Sequence, residues 1–166
     1  MFKWIGAMLI VAGMGLSGVD LYKKQKKELE LTEAFLKVLT FMKDEMQYSK
    51  AYLDAVLEKC VHVTTESADF FQKIATGLQQ EGAFKNLWDE SVNDLENLNS
   101  AVKGELLEMG NILGNTDLDS QKNLICRTVE QIQSIKEDQE KTLKTRGTFY
   151  PKIGFSIGIL VAILLF

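Results

Sequence analysis

Hydrophobic residues are distributed along this chain in two ways. At the ends they run almost unbroken, over residues 4–19 and 153–166, whereas between them they recur at intervals of three, four or seven among charged side chains. Unbroken runs suit segments surrounded by an apolar medium, and the spaced pattern suits helices that bury one face. Read as helix, residues 4–22 reach roughly 28 Å and residues 149–166 roughly 27 Å, each just enough to cross a hydrocarbon core. The pattern therefore predicts an N-terminal transmembrane helix at 1–22, a helical bundle with membrane-proximal stalks at 23–148, and a C-terminal transmembrane helix at 149–166. A cleaved signal peptide is the competing reading of the first segment, but that segment lacks a small-x-small cleavage site flanked by polar sequence.

Inside the middle region the spacing predicts helices nearly throughout. Phe35, Leu39, Met42, Met46, Leu53 and Leu57 form one stripe, read as a long helix from 26 to about 61. Thr64 or Thr65 can cap a second helix carrying Ala68, Phe71, Ile74, Ala75 and Leu78, with Gly77 and Gly82 interrupting it. A shorter helix bears Leu87, Trp88, Val92 and Leu95. Asn99 or Ser100 opens the next, which buries Val102, Leu106, Met109 and Leu113 and stops at Gly114. The last begins near Asp119 or Ser120, packs through Ile125, Val129, Ile132 and Ile135, and continues from 136 to 146 as a polar stalk supported by the pairs Glu137 with Lys141 and Glu140 with Lys144. No segment alternates with period two, so the expected fold class is all-α, an antiparallel helix bundle flanked by two membrane helices.

Charge then orients the molecule. Lys23, Lys24, Lys26 and Lys27 follow the first apolar segment, and Lys141, Lys144, Arg146 and Lys152 crowd the second, whereas Lys3 is the one basic side chain outside them. Basic flanks are retained on the cytoplasmic side, which places the middle region in the cytoplasm with both anchors entering one membrane. The formal charge of −4 hides a segregation: residues 28–140 hold 22 Asp or Glu against 10 Lys or Arg, a balance of −12. An acidic body without a basic stripe argues against nucleic acid as a partner, and the basic collars suit anionic lipid headgroups. Self-association into a homo-oligomer is compatible with this composition.

Motifs for chemistry do not survive their context. Gly13-Met14-Gly15-Leu16-Ser17-Gly18 has the GxGxxG form, yet no second strand ending in an acid follows it, as a dinucleotide site requires. Within a membrane helix Gly13 and Ser17 form a small-xxx-small pair, and Gly154, Gly158 and Ala162 form a longer one, both suited to close helix packing. Asn115, Asp117 and Asp119 look like the start of a calcium loop, but Ser120 occupies the glycine position and Cys126 the position of the bidentate Glu. His62 is the sole histidine, and Cys60 and Cys126 have neither CxxC nor Cys/His spacing. The expectation is a non-enzymatic protein with no metal or cofactor. The turn containing Gly114, Asp117, Asp119, Ser120 and Gln121 gathers acceptors and helix-start donors at one bundle end, which makes it the candidate interaction surface; a simple capped connection is the alternative.

The chain resembles the stage III sporulation protein AB family over essentially its whole length. The stretch Gly110-Asn111-Ile112-Leu113-Gly114-Asn115-Thr116-Asp117-Leu118-Asp119-Ser120-Gln121 looks like that family's LG…D…SQ turn into its last long helix. Further matches are residues 3–10, Leu36, Leu39, Glu45, Met46, Tyr48 and Leu53, residues 88–91, and residues 159–166. Tyr52 departs from the pattern, which often has proline there, so the first helix is expected to run through this position. The resemblance implies a component of the transport apparatus between mother cell and forespore during endospore formation, in the mother-cell membrane around the forespore. Its cytoplasmic domain would be similar in fold to those of type II secretion and type IV pilus inner-membrane platform proteins. Its partners would be a secretion-type cytoplasmic ATPase and the complex's other membrane subunits. A membrane-tethered adaptor in signalling or cell division is the competing class.

Overall fold

A computed structural model describes residues 2–48, 52–80, 82–114, 117–146 and 156, with the backbone alone at 2–19 and 146. Among these residues the structure is helical and contains no strand. The helices are α1 (Phe2–Tyr48), α2 (Leu53–Cys60), α3 (Thr65–Gln79), α4 (Phe84–Asp94), α5 (Ser100–Ile112) and α6 (Leu118–Arg146). The chain divides into two compact units, Met1–Lys27 with Asp138–Phe166, and Glu28–Glu137.

In the 28–137 unit each helix contributes one buried face, as its apolar spacing requires. Phe35, Val38, Leu39, Met42 and Met46 come from α1, Val56, Leu57 and Cys60 from α2, and Phe70, Phe71 and Ile74 from α3. Trp88 and Val92 enter from α4, Val102, Leu106 and Met109 from α5, and Ile125 and Ile132 from α6. The centre is aromatic. Phe70 meets Phe35 at 5.1 Å, Phe71 at 4.9 Å and Trp88 at 5.1 Å between ring centroids, each pair edge to face, the geometry that aromatic quadrupoles favour. The Trp88 indole Nε1 donates to the Leu106 carbonyl oxygen at 2.7 Å, which satisfies its polar atom inside the core.

Neighbouring helices are also tied at their rims. Lys136 of α6 lies 3.4 Å from Glu33 of α1, Lys59 of α2 pairs with Glu45 of α1, and Arg127 of α6 reaches Glu108 of α5 at 2.8 Å. Lys73 of α3 bridges Glu90 and Asp94 of α4 at 2.9 and 2.8 Å. These pairs are solvent-accessible and fix register more than they add stability. The Lys136–Glu33 contact places α1 and α6 side by side at that point.

Several local expectations change. The helix read from 26 to 61 ends at Tyr48, and α2 begins anew after Tyr52, whose backbone is extended at φ −68°, ψ 154°. Met46 and Leu53 are seven residues apart, the spacing an unbroken helix also produces, so periodicity reads straight through the break. Gly77 does not stop α3, which continues to Gln79; the Gly77 carbonyl instead accepts from the N–H groups of Gln80 and Gly82 and closes the helix there. Lys144 pairs with Glu140 at 3.6 Å as expected, but Lys141 turns to Asp138 at 3.4 Å. Glu137 instead accepts from Gln133 at 3.0 Å.

The Gly13 to Gly18 motif lies within α1, so it is not a strand-to-helix phosphate loop. Among the described residues no helix is long and apolar enough to cross a membrane. The side chains of 2–19, and all of 149–166 except Ser156, lie outside the described residues. That covers the predicted packing positions Gly13, Ser17, Gly154, Gly158 and Ala162.

Candidate functional site

One end of the 28–137 unit brings together three connections: the α1–α2 break, the α3–α4 loop and the α5–α6 turn. Gly114 sits at their meeting point. Its φ of +82° is left-handed, and a side chain there would have Leu53 and Phe84 as its nearest neighbours, at 3.6 and 3.8 Å. Leu113, its predecessor, is buried and closes α5 by donating its N–H to the Met109 carbonyl at 2.9 Å. The glycine thus lets the chain reverse while keeping Leu113 in the core.

Asp117 opens α6. Its Oδ1 accepts from the Ser120 N–H at 3.0 Å and its Oδ2 from the Ser120 hydroxyl at 2.7 Å, while its carbonyl accepts from the Gln121 N–H at 3.0 Å. The two Ser120 hydrogen bonds, led by that of its hydroxyl, hold the Asp117 carboxyl below its ordinary pKa of 3.8. α6 therefore starts at Leu118, one residue before the expected start, because Asp117 rather than Asp119 or Ser120 supplies the cap. Asp119 and Ser120 are exposed, and Gln121 is buried in the first turn. Asn115 and Thr116 lie outside the described residues.

The same end carries exposed apolar surface that periodicity does not single out. Tyr48 is 80% exposed, Tyr52 78% and Leu118 41%; within the 28–137 unit these are the exposed large hydrophobics among the described residues. Tyr48 and Tyr52 flank the helix break, and Leu118 follows the Asp117 cap. The available signal was their position off the buried stripe: neither tyrosine falls on the face shared by Leu39, Met42, Met46 and Leu57.

The basic positions lie in the other unit. Lys23, Lys24, Lys26, Lys27, Lys141 and Lys144 are exposed on α1 and α6; the Arg146 side chain and Lys152 lie outside the described residues. Cys60 is fully buried, and burial, helped by the charge of Glu45, pushes its thiol up to about 12. A thiol so held is a poor nucleophile at neutral pH. His62 is exposed beside it in sequence, and no group of His, Cys, Asp and Glu among the described residues could hold a metal.

A family model described as stage III sporulation protein AB (spore_III_AB) matches residues 3–166. The chain belongs to that family. A solved structure of stage III sporulation protein AB (SpoIIIAB) is similar, with a TM-score of 0.61 and 17% identity over 71% of this chain and 97% of that one. At this identity the likeness shows a shared fold. Among curated proteins, none matches this chain. The family match spans the helix break, the 114–121 turn and both terminal segments, so the resemblance seen in local motifs extends to the whole chain.

Proposed function

We propose that this protein is a non-enzymatic membrane scaffold of the mother cell–forespore transport complex, anchored by residues 4–22 and 149–166 in the mother-cell membrane around the forespore. The middle unit stands in the cytoplasm and links a secretion-type ATPase to the complex's membrane subunits. The observation that carries this reading is the family match over residues 3–166. The basic residues inside both apolar ends support the topology, since they are retained on the cytoplasmic side. The end bearing Tyr48, Tyr52, Leu118 and Asp117 is the contact surface in this scheme, because solvent-facing aromatic residues beside oriented carboxylates suit protein recognition.

Site-specific photocrosslinkers placed along 43–59 and 113–121 in sporulating cells test it. Adducts with the ATPase or with another membrane subunit of the complex are expected from Tyr48, Tyr52 or Leu118. Adducts confined to division or signalling proteins would replace the transport role with that of an adaptor. Asp117→Ala separates contact from capping. A contact role requires partner capture to fall by more than the loss of folded protein explains, while equal losses leave Asp117 as a cap alone.

A further inference from the structure

The two basic collars are alike in sequence and differ where their side chains are described, at Lys23, Lys24 and Lys27 on α1 and at Lys141 and Lys144 on α6. On α6, Lys141 lies 3.4 Å from Asp138 and Lys144 lies 3.6 Å from Glu140, so each ammonium has its own carboxylate within one helical turn. On α1, Lys23, Lys24 and Lys27 are exposed. Among the described residues none of these three has a carboxylate at ion-pair distance, although Asp20 and Glu28 stand about one turn away. Lys26 does have an interaction partner and is set apart. At about 100° per residue the three unneutralised lysines share an arc roughly 100° wide.

Leu21 adds a second feature. It is 51% exposed, the exposed large hydrophobic of this unit among the described residues, and it lies roughly 60° around the helix from Lys24. An outward leucine next to uncompensated ammonium groups is the combination required where a helix passes from hydrocarbon to headgroups. The leucine and the lysine stems stay in the apolar layer while the ammonium groups reach phosphate oxygens. A polynucleotide is a poor alternative polyanion, because residues 28–137 hold 20 acidic against 10 basic side chains and repel it.

We propose that Lys23, Lys24 and Lys27, with Leu21, form a docking surface for anionic phospholipid headgroups, and that Lys141 and Lys144 of α6 do not. The inference rests on the membrane-anchored reading above, and it makes the two collars unequal. Lipid charge then acts on α1 through three lysines without a carboxylate of their own, while Lys141 and Lys144 each have one nearby.

The test uses the full chain in vesicles of phosphatidylcholine, with and without phosphatidylglycerol. Flotation with vesicles reports anchoring, and native mass spectrometry reports the phosphatidylglycerol-to-phosphatidylcholine ratio retained by the protein. The wild type should retain phosphatidylglycerol preferentially, less so at high salt. The K23Q/K24Q/K27Q variant should float equally well, keep its helical circular dichroism, and lose about tenfold of that preference. The K141Q/K144Q variant should stay within about twofold of wild type. Equal losses from the two variants, no loss from the first, or displacement of the lipid by inorganic phosphate would each overturn the proposal while leaving the anchors standing. Failure to float with any vesicle would remove the anchored reading itself.

Discussion

Trp88 packs directly against Gly110. A Cβ built on that glycine would come 2.2 Å from the indole Cδ1 and 2.7 Å from Nε1, while Nε1 donates to Leu106, one turn earlier on the same helix. The missing side chain admits the largest buried residue of the core to α5, and the hydrogen bond orients it. Ordinarily Gly→Ala inside a helix gains about 0.5–1 kcal/mol. Here the sign reverses, since the added methyl must displace a ring that is packed on all sides. Gly110→Ala should cost about 1–3 kcal/mol by overpacking. Gly104 lies on the same helix, and a methyl group there would meet nothing within 4 Å. As alanine it should gain up to about 1 kcal/mol. Urea unfolding of the two full-length variants checks this: their midpoints should move in opposite directions.

Tyr52 already holds the dihedrals proline would impose. Its φ of −68° and ψ of 154° are those of an extended residue ahead of α2, and its side chain is 78% exposed. Tyr52→Pro should therefore preserve the fold and raise stability by about 0.4–1 kcal/mol through the unfolded chain. Thermal unfolding of the variant should show an equal or higher midpoint. A lower one would mean that the tyrosine ring or its N–H contributes to the native state.

Gly114 separates backbone strain from crowding. The contacts a methyl would make with Leu53 and Phe84 are of ordinary van der Waals length, so Gly114→Ala should cost the left-handed penalty alone, about 1–2 kcal/mol. Gly114→Asn should cost less than Ala, since asparagine tolerates this region. The ranking Gly, Asn, Ala in denaturant midpoint is the expected result.

Cys60 should be silent to alkylation until the protein unfolds. Its thiol is displaced from 9.0 to about 12, by burial first and by Glu45 second. The folded state therefore holds the proton more tightly than the unfolded state. The stability this contributes is present in full below about pH 9 and is lost as pH rises toward about 12. At pH 8 iodoacetamide should modify the half-buried Cys126 first. Between pH 9 and 12, Cys60→Ala should lose stability less steeply than wild type.

Much of the fold is legible in spacing because each helix presents a single apolar face, and spacing records faces well. Phe71, Ile74, Trp88, Val92, Leu106, Met109, Ile125 and Ile132 are buried as expected, and Asn99 caps α5 by accepting from the Ala101 N–H at 2.9 Å. Spacing does not record direction. The stripe through Met46 and Leu53 keeps helical phase across Tyr52, so the turn in the chain leaves no trace in it. The match of Trp88 to Gly110 is likewise invisible, since it pairs two helices and depends on an absent side chain. At the candidate site a capped connection could be read from Asp117 or Asp119, but not which of the two caps α6. The off-stripe positions of Tyr48 and Tyr52 could be read too, but not that the two flank a helix break, because that follows from where α1 stops.

The pairing of Glu33 with Lys136 sets an order in time. The two residues are about 100 positions apart, so at about 5–20 residues per second a ribosome needs some five to twenty seconds to deliver the second after the first. Until α6 emerges, the side of α1 that it covers has no native neighbour. A chaperone that shields nascent apolar helices would meet this protein in that interval, and a stalled or truncated chain would keep the surface open.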